Sequence, residues 1–250
     1  MFESGWFGIC VQTPSSIIRG NAMGNSSSNG IAVENTQGCV VTENTVVDSE
    51  TDGIAILNSS SCMVENNTVH RCNLSAITVN MSDDTRIVNN SAESSGEYGV
   101  WAWVSKNVTI KGNTLDHTGG IVLENGSDFA SIRKNTIRNC FWSGIRVFDS
   151  LYAVAEYNTL VNITGNGLLF DRASHSIARW NTFQNTGWQG LSLNNASVCT
   201  FAWNSIDGTG DNGILVLDSP HTRVTSNTVR GASYNGITVS ASLRRPHSIR

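Results

Sequence analysis

An all-β fold, a single-stranded right-handed parallel β-helix of about ten coils, is predicted by two residue columns that repeat every 22–23 residues and by the apolar patches between them. The first column is Asn: Asn21, Asn44, Asn67, Asn90, Asn113, Asn135, Asn158, Asn181, Asn204 and Asn227. The second is Gly before an aliphatic residue, replaced once by Ala76: Gly8, Gly30, Gly53, Gly99, Gly120, Gly144, Gly167, Gly190, Gly213 and Gly236. Such a period is too short for a strand–helix–strand unit.

Each coil is predicted to hold three short strands, because three patches alternate between apolar and polar residues. The first follows the column Gly, as in residues 30–33; the second ends three residues before the column Asn, as at Val41; the third covers Val46. Stacked in register about 4.8 Å apart, these patches would enclose one apolar core. We expect the β-helix to span residues 1–242 and residues 243–250 to form a C-terminal tail.

The repeated small and polar residues have physical explanations. The column Asn is expected at a bend between the second and third strands, with left-handed φ and an amide that bonds to neighbouring backbone and along the column. The column Gly is expected where a bend needs φ > 0 or lacks room for Cβ. Cysteines fall on inward columns, which predicts buried thiols. Cys39 and Cys62 stack on adjacent coils, so a disulfide between them is an alternative.

Composition argues against several classes of partner. Of the 250 residues, 14% are charged, the net charge is −4 and the few basic residues are scattered, so we expect no nucleic-acid partner. No apolar run approaches the length of a membrane span, which predicts no membrane insertion. Residues 1–20 lack a signal-peptide pattern and the chain begins inside a repeat, so a mature or trimmed part of an exported protein is expected.

The middle of the first strand's outer face is predicted to bind substrate. Residues two and four places after the column Gly should point outward, and four consecutive coils place there Trp101, Trp103, Glu124, Arg146, Phe148 and Asp171. The substrate-binding candidates are Trp101, Trp103, Trp142, Arg146, Phe148, Arg172 and Trp188. Aromatic faces stack on pyranose rings, and arginine forks bind uronate carboxylates. The bend from Asn113 to Gly120 is two residues shorter than most, which is expected to open a groove here.

The catalytic candidates are Glu124, Asp171 and His175. The two acids share a column two coils apart, about 9–10 Å, close to the roughly 6.5–9.5 Å that separates the carboxyls of inverting glycosidases. A different interpretation places Asp149 and Asp171 around Ca²⁺, with Asn125 and Asn195 nearby. In a third interpretation these carboxylates only keep the face soluble.

A second aromatic set occurs just before the column Asn: Tyr157, Trp180 and Trp203. We expect these rings to stack outward on three successive coils. They would form either a second glycan-binding strip or a packing face for a tail, a partner or another protomer.

The pattern G-I-x-h…N-T-h, where h is an apolar residue, resembles the NosD-like, pectin-lyase-like family of parallel β-helix repeats over nearly the whole chain. That superfamily includes polysaccharide lyases, hydrolases, uronan C5-epimerases, phage tailspikes and proteins without known catalysis. The epimerase-type Asp-Pro-His sequence is absent, since residues 171–175 read Asp-Arg-Ala-Ser-His, and the polygalacturonase-like Gly-His-Gly and Arg-x-Lys signatures are also absent.

Residues and resemblance together predict an extracellular β-helix, secreted, cell-surface or periplasmic, that binds a polysaccharide. If its carboxylates are catalytic, the protein would be a carbohydrate-active enzyme of lyase, hydrolase or epimerase type. The alternative is a non-catalytic structural or adhesive solenoid module of a larger cell-surface protein. Uncovered terminal strand edges would then favour oligomers.

Overall fold

Three parallel sheets run side by side along one axis in the computed structural model, which describes residues 7–241. Every strand pairs in parallel with the equivalent strand one coil away. The sheets have 11, 10 and 10 strands, which confirms the predicted β-helix of about ten coils. The predicted tail, residues 243–250, lies outside the described residues. No helix between residues 7 and 241 has the length and apolarity needed to cross a membrane.

The strands are short, three to five residues, because the chain must turn three times in each coil. The first sheet contains β1 (Ile9–Val11), β4 (Ile31–Glu34), β7 (Ile54–Leu57), β10 (Ile77–Asn80), β13 (Val100–Trp103), β16 (Ile121–Glu124), β19 (Ile145–Phe148), β22 (Leu168–Asp171), β25 (Leu191–Asn194), β28 (Ile214–Leu217) and β31 (Ile237–Ser240). The second contains β2 (Ile17–Arg19), β5 (Val40–Thr42), β8 (Met63–Glu65), β11 (Arg86–Val88), β14 (Thr109–Lys111), β17 (Ser131–Arg133), β20 (Val154–Glu156), β23 (Ile177–Arg179), β26 (Thr200–Ala202) and β29 (Arg223–Thr225). The third contains β3 (Ala22–Ser26), β6 (Thr45–Ser49), β9 (Thr68–Cys72), β12 (Ser91–Glu93), β15 (Thr114–Asp116), β18 (Thr136–Cys140), β21 (Thr159–Ile163), β24 (Thr182–Thr186), β27 (Ser205–Thr209) and β30 (Thr228–Ala232).

The column asparagines form a buried amide ladder along the axis. Asn158 is representative: its Nδ2 donates to the backbone oxygen of Ile132 at 2.9 Å and to Oδ1 of Asn181 at 2.9 Å. Its own Oδ1 accepts from Nδ2 of Asn135 at 3.0 Å. The prediction that these asparagines have left-handed φ is wrong. The left-handed residue is the one before each Asn, for example Tyr157 with φ 56°, because the Asn side chain must point inward to reach the ladder.

Nine of the ten column glycines lack room for a side chain, the exception being Gly236 in the last coil, which decides between the two explanations given above. A Cβ on Gly144 would lie 2.3 Å from Cδ2 of Leu160, sixteen residues along the same coil. Ala76 is tolerated because the residue at the equivalent position is the small Ala92, and both alanines are buried. Gly120 differs, since its φ of +85° adds a left-handed backbone to the close approach.

The predicted burial of cysteine is confirmed at five positions: Cys39, Cys62, Cys72, Cys140 and Cys199. Cys10 is exposed, and all six are free thiols in the structure, including the stacked pair for which a disulfide was an alternative. Burial raises the pKa of the Cys72 thiol to about 12 and that of Cys140 to about 11.

Candidate functional site

Two columns of outward-facing side chains run along the outer face of the first sheet. The floor column, two residues after each column Gly, includes Ala32, Ala55 and Val122, which are buried yet belong to no part of the internal core cluster. Neighbouring outward side chains therefore cover them. The rim column, four residues after each Gly, stays half-buried, as at Glu124 and Phe148.

The strand register brings the predicted binding residues together. Trp101 of β13 is opposite Val122 of β16, and Val122 is opposite Arg146 of β19 in the floor column. In the rim column, the partners run Trp103, Glu124, Phe148 and Asp171 on four successive coils. Glu124 and Asp171 therefore share a column two coils apart, as predicted, with Phe148 between them.

Aromatic rings form a continuous cluster at the middle of this face. The rings of Trp101 and Trp103 lie 6.4 Å apart at 25°. Tyr98 adds a third ring 6.2 Å from Trp101, and it also meets Trp142 edge to face at 5.2 Å. Burial raises the pKa of the Tyr98 phenol, and the nearby Glu124 carboxylate raises it further.

The shortened bend is what allows Tyr98 and Trp142 to meet. The two residues belong to bends two coils apart, and the intervening bend, residues 117–120, ends in Gly119 and Gly120 before β16. A Cβ on Gly119 would lie 2.4 Å from the backbone oxygen of Glu97 and 3.1 Å from Cδ1 of Tyr98. The expectation of an open groove at this bend is therefore corrected: the two rings close over the glycines.

Trp188 lies one coil further along this side of the molecule. It is 62% exposed, and no other ring within residues 7–241 contacts it. It stands two coils from Trp142, with Gly165 between them joined to both by backbone hydrogen bonds of 3.0 and 3.1 Å. Two exposed indoles thus lie on either side of Gly165, with about 9–10 Å between their backbones.

Ion pairs occupy the charged groups of the cluster. Glu124 accepts a hydrogen bond from Nε1 of Trp101 at 3.4 Å and pairs with Nη1 of Arg146 at 3.4 Å. The guanidinium of Arg146 also lies 4.8 Å from the centre of the Phe148 ring. The arginine expected to bind uronate is therefore already paired with a carboxylate of the protein.

Arg172 has the same arrangement on the next coil. It donates from Nε and Nη2 to the two carboxylate oxygens of Asp149, at 2.5 and 3.0 Å, and lies 4.0 Å from the centre of the Phe148 ring. Its Nη1 is 3.7 Å from Asp171, which also accepts a 3.4 Å hydrogen bond from Asn194. The Arg172 hydrogen bonds lower the pKa of the Asp149 carboxyl. With Glu124 and Arg146, the cluster holds three carboxylates and two guanidiniums, so its net charge is −1.

The geometry does not fit the calcium alternative. Calcium needs six or more oxygen ligands, whereas both Asp149 oxygens accept from Arg172, whose cationic head also faces Asp171. Across residues 7–241, no group of three or more His, Cys, Asp or Glu side chains is placed to hold a metal ion.

His175 lies in a separate aromatic stack, in the bend that leads to the second sheet. Its ring packs on Tyr152 at 4.9 Å and 16°, and Tyr152 packs on Phe129 at 4.9 Å and 4°. Its described contacts are therefore with this stack, whereas the two carboxylates contact Arg146 and Arg172. The structure brings the predicted binding residues together but gives His175 no described contact with them.

Tyr98 is the site residue that sequence reasoning missed. Its signal was its position, immediately before Gly99 and one coil before the shortened bend. The tyrosine fits neither outward column, so periodicity alone did not select it.

Three parallel sheets wound in short coils define a parallel β-helix, and the first sheet carries an aromatic cluster on its outer face. Residues 2–130 and 119–248 match the family model described as "right handed beta helix region". The chain therefore belongs to the right-handed β-helix family. No curated protein has a matching sequence.

Solved structures share this fold at low identity. The catalytic unit of the thermostable GH87 α-1,3-glucanase from Streptomyces thermodiastaticus strain HF3-3 has a TM-score of 0.71 at 18% identity, covering 88% of this chain and 49% of that one. The A-module of the Azotobacter vinelandii mannuronan C-5 epimerase AlgE4 has a TM-score of 0.65 at 10% identity, covering 95% and 90%. The Dettilon tailspike protein has a TM-score of 0.64 at 14% identity, covering 92% and 61%. The chain spans about half the length of the glucanase catalytic domains, and the likeness establishes the fold alone.

Proposed function

We propose that this protein binds a neutral or weakly charged polysaccharide along the outer face of the first sheet, as a secreted or cell-surface protein. The observation that carries the proposal is the aromatic cluster of Trp101, Trp103 and Tyr98, continued by Trp142 and Trp188. Exposed indoles offer flat apolar faces to the C–H faces of pyranose rings. The outward positions of this face repeat with every coil, as the rings of a polysaccharide repeat along its chain, so successive coils can contact successive sugars.

The charge of the site favours a neutral glycan. Both arginines are paired with carboxylates of the protein, and the net charge of −1 repels a polyanion. The paired groups still offer N–H donors and carboxylate acceptors to sugar hydroxyls. The exposed rings of Trp142 and Trp188, on either side of Gly165, are a second place for a sugar ring on this face.

Several structural neighbours act on polysaccharides, which supports the proposal. The GH87 enzymes are α-1,3-glucanases whose complexes contain nigerose or tetrasaccharides, and another neighbour is a mannuronan epimerase. These properties belong to those proteins. For this chain, cleavage through Glu124 and Asp171 stays a prediction, and the structural or adhesive module stays its alternative.

Affinity electrophoresis in gels that contain neutral glucans tests the proposal. Wild type is expected to be retarded, and Trp101→Ala and Trp103→Ala are each expected to weaken binding about fivefold, since a ring contact contributes on the order of 1 kcal/mol. Trp203→Ala is the matched control, because Trp203 is an equally large exposed ring on another bend. Absence of retardation in every glucan, or equal loss in the control, contradicts the proposal.

Catalysis is tested on the glycans that the protein retains in the affinity gels. Release of reducing ends, or of unsaturated products, should disappear in Glu124→Gln and Asp171→Asn while retardation persists. A bound glycan that wild type leaves unchanged would favour the non-catalytic alternative.

A further inference from the structure

Four cations lie on the outer face of the second sheet over four neighbouring coils. Lys111, Arg133 and Arg179 share one column with Glu156, in the order Lys111, Arg133, Glu156, Arg179. Lys134 follows Arg133 directly. We call this set of five residues the cation strip. Lys111, Arg133 and Lys134 are exposed, and Arg179 is half-buried.

The strip is strongly positive although the chain is not. Residues 109–112, 131–134, 154–157 and 177–180 contain four basic side chains and one carboxylate, Glu156, which gives a local charge of +3 in a chain of net charge −4. Lys111 and Lys134 have no ion-pair partner among residues 7–241, whereas Arg146 and Arg172 of the first sheet are both paired.

Glu156 holds the two arginines in place. Its side chain is only 3% exposed and lies between Nη1 of Arg133, at 3.5 Å, and Nε of Arg179, which donates to it. The guanidinium of Arg179 also lies 4.4 Å from the centre of the Trp180 ring. Trp180 is fixed in turn between Tyr157 and Trp203, at 5.0 and 5.3 Å and nearly parallel.

This stacking corrects the interpretation of the aromatic set as a glycan strip. The two faces of Trp180 are covered by its neighbouring rings, so a sugar cannot stack on it. The rings instead support the arginine beside them. Both arginines have further N–H groups without a hydrogen-bond partner among residues 7–241, and 46% of the Arg133 side chain and 37% of the Arg179 side chain remain exposed.

We infer that the cation strip is a second glycan site, specific for acidic polysaccharide. It goes beyond the proposed function, because it lies on a different sheet and takes a different class of glycan. A guanidinium fork binds a carboxylate through two hydrogen bonds. The coils rise about 4.8 Å each. Lys111 and Arg133 lie on adjacent coils and Arg179 lies two coils beyond Arg133, so the three cations meet uronate carboxylates spaced along an extended chain. A nucleic acid is disfavoured, because nucleic-acid binding needs a broad cluster of Lys and Arg and only three cations share this column.

Affinity electrophoresis with polygalacturonate tests the inference. Wild type is expected to be retarded, and raising salt from about 50 to about 200 mM should weaken binding about tenfold or more, as for a polyanion that contacts three or four cations. The double variant Lys111→Ala/Arg133→Ala should lose most of the retardation. The matched control is Arg223→Ala/Arg230→Ala, which removes the same charge from exposed positions outside the strip. Equal loss in both variants, or no retardation of wild type, overturns the inference.

Two further measurements separate this site from others. A Trp101→Ala/Trp103→Ala variant should keep its polygalacturonate binding, so failure of the first-sheet proposal and failure of this one give different results. Single-stranded DNA of equal charge should compete more weakly than polygalacturonate, and stronger competition by DNA would overturn the choice of ligand.

Glu156→Gln tests the positioning role of the carboxylate. The variant makes the strip more positive, so attraction by charge alone would tighten binding. If Glu156 orients the forks, binding should weaken severalfold in this variant despite the added positive charge. Tighter binding with an unchanged unfolding midpoint would overturn the positioning role.

Discussion

Replacing one rung of the asparagine ladder should destabilise the coil stack far more than any surface change. Asn90 is 2% exposed. Its Oδ1 accepts from the backbone N–H of Asn67 at 2.9 Å and from the Asn67 amide at 3.0 Å. Its Nδ2 donates to the backbone oxygen of Val64 at 2.9 Å and to Oδ1 of Asn113 at 3.0 Å.

The magnitude follows from the groups left without partners. Asn90→Ala leaves the buried Asn67 N–H without a partner among the described residues, and it removes the hydrogen bonds that Nδ2 of Asn90 donates to Val64 and Asn113. The orphaned group costs about 1–3 kcal/mol and each of the two lost hydrogen bonds about 0.5–1.5 kcal/mol, so the loss should be about 2–6 kcal/mol. This is a large fraction of the roughly 5–15 kcal/mol that stabilises a typical protein.

Urea unfolding followed by far-UV circular dichroism measures the effect. The control is Ser91→Ala, the adjacent exposed residue, which should change stability by no more than about 0.5 kcal/mol. Asn90→Asp keeps the accepting oxygen but loses both donors at neutral pH, so it should resemble alanine there and recover partly at low pH, where a protonated carboxyl can donate once. A loss below about 1 kcal/mol for Asn90→Ala would refute the assigned role of the ladder, since one orphaned group alone costs that much.

Three further outcomes are expected. Gly144→Ala should destabilise the fold by about 1–3 kcal/mol, because the new Cβ would lie 2.3 Å from Leu160. The double variant Gly144→Ala/Leu160→Ala should lose less stability than the sum of the two single variants, and urea midpoints that shift additively would contradict this. Burial raises the pKa of Asp52. The contribution of Asp52 to stability is therefore present below the unfolded pKa of about 4 and disappears as pH rises through the higher folded pKa. Asp52→Asn should raise Tm at neutral pH and flatten the dependence of Tm on pH, and an unchanged profile of Tm against pH would contradict the raised pKa. A thiol reagent should modify only Cys10 in the native protein and all six cysteines after denaturation; four reactive thiols after denaturation would reveal a disulfide.

The binding face illustrates how far a repeat can be interpreted without coordinates. Outward positions follow from a period of two within each strand, and stacking follows from the coil period. Trp101, Glu124, Arg146 and Phe148 could therefore be placed on one surface. Tyr98 could not, because it lies in a bend, where no period fixes the direction of a side chain.

Periodicity could not predict which charged side chains pair with each other. The carboxylates had three interpretations: a calcium site of Asp149 and Asp171, a catalytic pair of Glu124 and Asp171, or solvated groups. The left-handed residues Asp149 and Arg172, with φ of 48° and 51°, turn their side chains along the axis and into contact with each other. That contact decides against calcium and removes a free fork for uronate.

The sequence by itself determined the architecture, because a coil repeated ten times imposes the same local requirement at the same position each time. The ladder amides, the glycines without room for Cβ and the inward apolar residues all follow from that repetition. Only the tertiary structure decided which side chains of neighbouring coils pair, such as Arg133 and Arg179 with Glu156, or Tyr98 with Trp142 across a glycine bend. Those contacts depend on side-chain directions at bends and on what the adjacent coil leaves empty, and neither is encoded in a single repeat.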